Sequence, residues 1–182
     1  MIKLGMQTYQ KRTGYAHPIY NIETHRKRAY TRKNVSTIDG KHFDSKYELQ
    51  VYDFLLSIPD IVIDTQVPVS YNYGGTVHKT WIDFKVNEQL FEVKGEHLLS
   101  GVYDTVGIPI SAKLDTYNCN KICVITDNTE KTKTILAQYS DIIGVDILLF
   151  KDTLSVTDKR IRWIKIQQAI ERGVKFIEES SI

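Results

Sequence analysis

Between Trp81 and Gly95 the chain alternates apolar and polar residues twice, with a polar break between the two runs. In WIDFKV, Ile82, Phe84 and Val86 fall on one side and Trp81, Asp83 and Lys85 on the other, the period of a half-buried strand. Asn87-Glu88-Gln89 is polar and turn-compatible. LFEVK then alternates again, with Leu90, Glu92 and Lys94 on one face and Phe91 and Val93 on the other, and Gly95 ends the run. Upstream, SKYELQVYDFLLSI spaces Tyr47, Val51, Phe54, Leu55 and Ile58 by threes and fours, which predicts a helix with a core-facing stripe. Asp44-Ser45 is its N-cap signal and Pro59-Asp60 stops it. IVIDTQVPVSYNY is rich in strand formers, and Pro68 inside it indicates an edge strand or a break between two strands. Gly74-Gly75 turns the chain back into VHKTWIDFKV, so three strands from about 66 to 95 form an antiparallel meander behind a helix.

The second half changes period. SAKLDTYN predicts a short helix with Ser111 as cap, and KICVITD a strand buried on both faces. TKTILAQY, within 131–139, predicts a helix, and VDILLF another buried strand. From 155 to 179 a long helix is expected, with Ile161, Ile164, Ala169, Ile170 and Val174 as its apolar side and Gly173 as its end. The fold class expected is α/β, a mixed central sheet flanked by helices. Residues 1–20 show no period; Asn21 is a plausible cap for a short helix from Ile22 to about Arg32.

A length of 182 residues and a hydrophobic content of 42% suit one domain with an appendage, read here as a basic N-terminal arm over 1–40 and a globular domain over 41–182. Net charge is only +2, so the whole-chain balance does not announce a polyanionic partner. The distribution is more informative: between Lys11 and Lys41 there are eight Lys or Arg against two acids. Arg26, Lys27, Arg28, Arg32 and Lys33 form either a solvated arm or a phosphate-contacting one. Cys119 and Cys123 are too few for a disulfide framework or a zinc site and read as small apolar residues in or beside a strand. No apolar run approaches the length of a membrane span and the N-terminus lacks a signal-peptide core, so a soluble, cytoplasmic protein is expected.

The candidate chemistry lies in the meander. Glu92 and Lys94 are two apart in a strand and leave the sheet on the same side, where Asp83 joins them from the neighbouring strand. Two carboxylates and one ammonium on one rim suit a hard cation such as Mg²⁺ and a water nucleophile. The competing reading is a polar, solvated strand face. Context favours chemistry, because the flanking positions are strongly apolar and the preceding helix carries another acid, Glu48, although a Glu in a first turn also serves the helix dipole.

A helix with Glu, a meander carrying Asp and E-x-K, then strand–helix–strand: this order, with FDSKYE, TWIDF and FEVKG between Phe43 and Gly95, resembles the PD-(D/E)XK nuclease superfamily, with its restriction-endonuclease-like core. Ile82 stands where many members have Pro before the Asp. Within the superfamily the chain looks most like the endonuclease subunit of cut-and-paste transposases and a group of small phage nucleases. GYAHPIYNIETHRKRAYTRK is similar to a basic helix module beside nuclease domains in phage homing endonucleases. The resemblance implies a phage or mobile-element protein, acting in the host cytoplasm if phage-encoded. It implies a Mg²⁺-dependent DNA endonuclease that hydrolyses phosphodiesters to leave a 5′-phosphate, whether nicking, junction-resolving or directed by a partner, and a homodimer or partner complex. Asp83, Glu92, the backbone carbonyl of Val93 and Glu48 (directly or through water) would hold Mg²⁺, for which Mn²⁺ would substitute, and Lys94 would be the catalytic ammonium. Lys113 is a further candidate phosphate contact whose alternative is solvation, and Gln66 either contacts the site or, the favoured reading, lies on its edge. Two other functions compete: a non-catalytic DNA-binding or virion assembly module, which should have lost one of Glu48, Asp83, Glu92 or Lys94, and an RNA-processing factor, for which no aromatic-rich stacking strand is visible. Changing Arg26, Lys27 and Arg28 together to Ala is expected to flatten the salt dependence of DNA binding; an unchanged slope in a salt titration would take the arm off the DNA.

Overall fold

The computed structural model describes residues 36–101, 104 and 108–182, so Arg26, Lys27, Arg28, Arg32 and Lys33, and the helix expected over 22–32, lie outside it. The described chain begins with a small antiparallel ladder, β1 (Ser36–Ile38) with β2 (Lys41–Phe43). Asp39 and Gly40, both at positive φ, make the tight turn between them. Helix α1 (Lys46–Leu56) follows, capped by the Ser45 hydroxyl, which accepts the Glu48 N–H. Its buried face is Val51, Tyr52, Phe54 and Leu55. Tyr47, expected in that stripe, is instead exposed. Tyr52 takes the inward position and packs against Phe43 and Phe84.

The meander is present as β3 (Ile63–Tyr73), β4 (Thr76–Val86) and β5 (Gln89–Val93). Beyond it come α2 (Glu96–Leu99), α3 (Ile110–Cys119), β6 (Cys123–Thr126), α4 (Glu130–Leu136), β7 (Ile143–Asp146), α5 (Val156–Glu171) and β8 (Phe176–Ile177). The strands form one six-stranded sheet in sequence order, β3 to β8, antiparallel as far as β5 and parallel from there on. The architecture is therefore α/β with a mixed sheet. One hydrophobic cluster joins α1 and α5 to Phe84, Val86, Phe91, Val93, Ile125 and Val145. A second joins Leu99, Leu114, Tyr117 and Leu136, from α2, α3 and α4, to Ile82 and Val124. The sheet is thus sandwiched between helices. Among the described residues no helix is long and apolar enough to cross a membrane.

Several expectations are corrected. VDILLF does not continue as a strand: the Asp146 carboxylate accepts the Leu148 N–H and turns Ile147–Phe150 into a 3₁₀ helix. At α5 the expected Ala169 is buried and Ile170 and, past the helix end, Val174 pack against the core, but Ile161 and Ile164 are exposed and Trp163 and Ile166 take the inward positions instead. Helix α3 begins after Pro109, whose fixed φ suits a helix start, rather than at Ser111. Cys119 ends α3 and is exposed, whereas Cys123 is buried in β6. Pro68 sits within β3, which is tolerated because β3 is the outermost strand among the described residues.

Ile82, Phe84 and Val86 also do not share one cluster: Phe84 and Val86 pack with α1, Ile82 with α3. The β3–β4 ribbon changes layer between Phe84 and Ile82. Opposite that point lies Gln66, exposed, at φ 56° in the left-handed region. The ladder joins Thr65 to Phe84 and Val67 to Ile82 but skips the Gln66–Asp83 pair between them. A left-handed non-glycine residue costs about 1–2 kcal/mol. Gln66→Gly should therefore leave the melting temperature unchanged or raised, while the β-branched Gln66→Val should lower it; thermal denaturation of the two variants checks the order.

Candidate active site

The β4–β5 ladder runs from Val86↔Gln89 to Phe84↔Phe91 and stops. Its register continued would pair Asp83 with Glu92 and Ile82 with Val93. Side chains take over those positions. The Asp83 N–H donates to Glu92 Oε2 at 3.2 Å, and the Val93 N–H donates to Asp83 Oδ2 at 2.8 Å. The strands part, and each carboxylate accepts a backbone amide from the other strand. On its far side β5 stays zipped to β6, where the Lys94 N–H donates to the Ile125 carbonyl at 2.9 Å. Gly95 then turns the chain into α2, held by the Glu96 N–H on Asp127 Oδ2 at 2.8 Å.

Lys94 lies in this opening. Its ammonium pairs with Glu92 Oε1 and is 3.4 Å from the Val93 carbonyl oxygen. Glu48 enters from the first turn of α1, buried, its carboxylate accepting the Asp44 N–H and the Ser45 hydroxyl at 2.9 Å each. It interacts electrostatically with both Lys94 and Asp83. The structure thus brings Glu48, Asp83, Glu92 and Lys94 together. Glu48 is more than a dipole residue, because its side chain is folded back and buried rather than left in solvent.

Two residues of α3 complete the group. Lys113, half-buried, is close enough for its charge to be felt by Lys94, Glu92 and Asp83. Tyr117, one turn along the helix and fully buried, donates its hydroxyl to Glu92 Oε1 at 3.0 Å. Sequence reasoning missed Tyr117. The available signal was its spacing of four from Lys113, which places both on one face of a helix. Gln66 lies on the edge strand beside Asp83, and its side chain is exposed.

Burial sets the charge states. It pushes the Asp83 carboxyl well above the usual range, and the Glu92 carboxylate adds to this, while Lys94 and the Val93 amide pull the other way. Burial also raises Glu48, against the Asp44 amide, Ser45 and Lys94. On Lys94 burial acts downward, but Glu92, Asp83 and Tyr117 outweigh it and hold the ammonium well above its ordinary value. Lys113 moves down, through burial and through repulsion by Lys94. Tyr117 moves well up, through burial and then through Glu92.

Among the described residues no group of three or more His, Cys, Asp and Glu side chains is gathered as a metal cage. The donor chemistry nevertheless fits a hard cation: buried carboxylates of Asp83 and Glu92 from adjoining strands, the Val93 carbonyl beside the Lys94 ammonium, and no sulfur or imidazole donor in the group. No family model, no curated protein and no solved structure matches this chain.

A raised carboxyl pKa means that the folded state binds a proton more tightly than the unfolded chain. Asp83 therefore costs stability as pH rises from the unfolded carboxylate range through its own higher value. Asp83→Asn, whose amide oxygen can still accept the Val93 N–H, should melt higher than wild type at pH 8, with the advantage shrinking towards pH 4. Melting curves across that range check the sign.

Proposed function

We propose that this chain is a Mg²⁺-dependent DNA endonuclease with a restriction-endonuclease-like core of the PD-(D/E)XK kind. The observation that carries the reading is the parted β4–β5 pair, in which Asp83 and Glu92 each hold the other strand's amide while Lys94 sits on Glu92. Positions held this way by backbone are set before any substrate arrives, which is what a site needs for charge that develops only during reaction.

Asp83, Glu92 and the Val93 carbonyl would hold Mg²⁺, with Glu48 completing the set directly or through water. The ion would supply Lewis-acid neutralisation of the phosphate and help ready a water molecule for attack. The protein's own groups do the rest. The water oxygen attacks phosphorus and the P–O3′ bond breaks. One water proton is released to solvent and one reaches the leaving oxygen, giving a 5′-phosphate and a 3′-hydroxyl. Lys94, held charged by its acidic neighbours, serves as an ammonium that steadies the negative charge gathering on the phosphate oxygens rather than as a base. Lys113 provides a second positive centre, its charge disfavoured by burial and then by Lys94, and a bound phosphate would offset both. Tyr117 positions Glu92 through its hydroxyl.

The test is cleavage of supercoiled plasmid, linear duplex and a four-way junction in Mg²⁺, Mn²⁺ or EDTA, with Lys94→Ala beside wild type. Cutting in either metal, none in EDTA, and a loss on the order of a hundred-fold or more in the variant are expected. No cutting by pure wild type on any substrate would move the reading to a non-catalytic DNA-binding module. As a check independent of activity, Mg²⁺ should raise the melting temperature of wild type but not of Asp83→Ala.

A further inference from the structure

The Lys94 ammonium rests on two oxygens, Glu92 Oε1 and the Val93 carbonyl, the second at 3.4 Å. Both belong to the donor set that the nuclease reading gives to Mg²⁺. Their neighbours in that set carry amides instead: Glu92 Oε2 accepts the Asp83 N–H, and Asp83 Oδ2 the Val93 N–H. The Tyr117 hydroxyl shares Glu92 Oε1 with the ammonium. These partners differ in kind. The amides are fixed by their strands and the phenol by its helix, and none of them carries a full charge. Lys94 does, on a flexible four-carbon stem, and its side chain is 19% exposed. Its backbone is pinned to β6 through the Ile125 carbonyl, so the ammonium can leave both oxygens by a rotamer change that moves no strand.

A neutral donor leaves a carboxylate oxygen free to bind a metal as well, because the oxygen has lone pairs to spare. A full positive charge on the same oxygen repels a divalent ion, and burial strengthens the repulsion. A phosphate changes the balance, since it gives the ammonium another anion to meet. Lys113 is within electrostatic reach of Lys94 and would share that phosphate. We propose that Lys94 is a built-in competitor for the cation site, and that a bound phosphate draws its ammonium off Glu92 and Val93, so that phosphate and Mg²⁺ bind with positive cooperativity that passes through this side chain. The site then takes up its cation in company with substrate rather than from solvent alone. This deepens the nuclease reading and rests on it.

The experiment is a calorimetric titration of Mg²⁺ into the full chain at pH 8, with and without saturating thymidine 5′-monophosphate. That nucleotide carries the terminal phosphate of the expected product and has no phosphodiester to cut. In its absence, Lys94→Gln should bind Mg²⁺ about ten-fold more tightly than wild type, and Lys94→Met, of similar length and equally uncharged, should do the same. Adding the nucleotide should tighten Mg²⁺ binding by wild type about ten-fold, and by either variant less than about three-fold. By reciprocity, Mg²⁺ should tighten nucleotide binding by wild type to the same extent. Variants that bind Mg²⁺ no more tightly than wild type, or a nucleotide effect of the same size in all three proteins, would overturn the proposal. The outcomes separate the two ideas. Equal Mg²⁺ binding by wild type and variants removes the competition and leaves the metal-dependent nuclease. Mg²⁺ bound by none of the three removes the cation site, and the nuclease reading with it.

Discussion

The structure around the site depends on the exchange between Asp83 and Glu92, in which Glu92 accepts the Asp83 amide and Asp83 accepts the Val93 amide where the β4–β5 ladder has stopped. A sheet cannot open in its interior without orphaning N–H groups, and a buried orphan costs about 1–3 kcal/mol. Carboxylates solve this because they accept strongly and carry oxygens to spare. Opening the sheet and placing two acids in the gap are therefore one event. The same atoms that keep the sheet whole are those that the proposed chemistry would use, so the site cannot drift without loosening the fold.

The surroundings keep this arrangement dry. Glu92 and Asp83 lie between two hydrophobic layers, with Phe84, Phe91 and Val93 on the side of α1 and Ile82 and Tyr117 on the side of α3. Such burial would be prohibitive for bare charge. It is offset by Lys94, by the Tyr117 hydroxyl and by the backbone amides. Glu48 is held by its own helix start, where the Ser45 hydroxyl and the Asp44 amide grip the side chain. Helix capping and site assembly thus share a residue.

The sequence made some of this legible and hid the rest for physical reasons. Strand alternation with an E-x-K ending specifies side-chain direction, so the meander and the pairing of Glu92 with Lys94 could be read directly. The parting of β4 and β5 could not, because it depends on where a ladder stops. Tyr117 was invisible for a similar reason: it lies 25 residues after Glu92, on a helix whose placement only the fold decides. In α1 and α5 the periodicity was visible but its phase was ambiguous. Tyr52 turned inward where Tyr47 was expected, against Phe43 and Phe84, and Trp163 turned inward where Ile161 and Ile164 were expected, against Phe91. VDILLF was hydrophobic enough for a strand, and a single capping carboxylate, Asp146, decided for a tight helical turn instead.

The outermost strand carries two features met separately above, Pro68 without an amide hydrogen and Gln66 with its left-handed backbone. An 11-residue strand at the border of a sheet is a template on which another chain could add, and runaway addition of that kind ends in aggregates. Pro68 removes a donor from the open side and Gln66 bends the strand out of a flat register. The opposite border is only the two-residue β8. Among the described residues both borders are thereby made poor templates for a stranger's backbone.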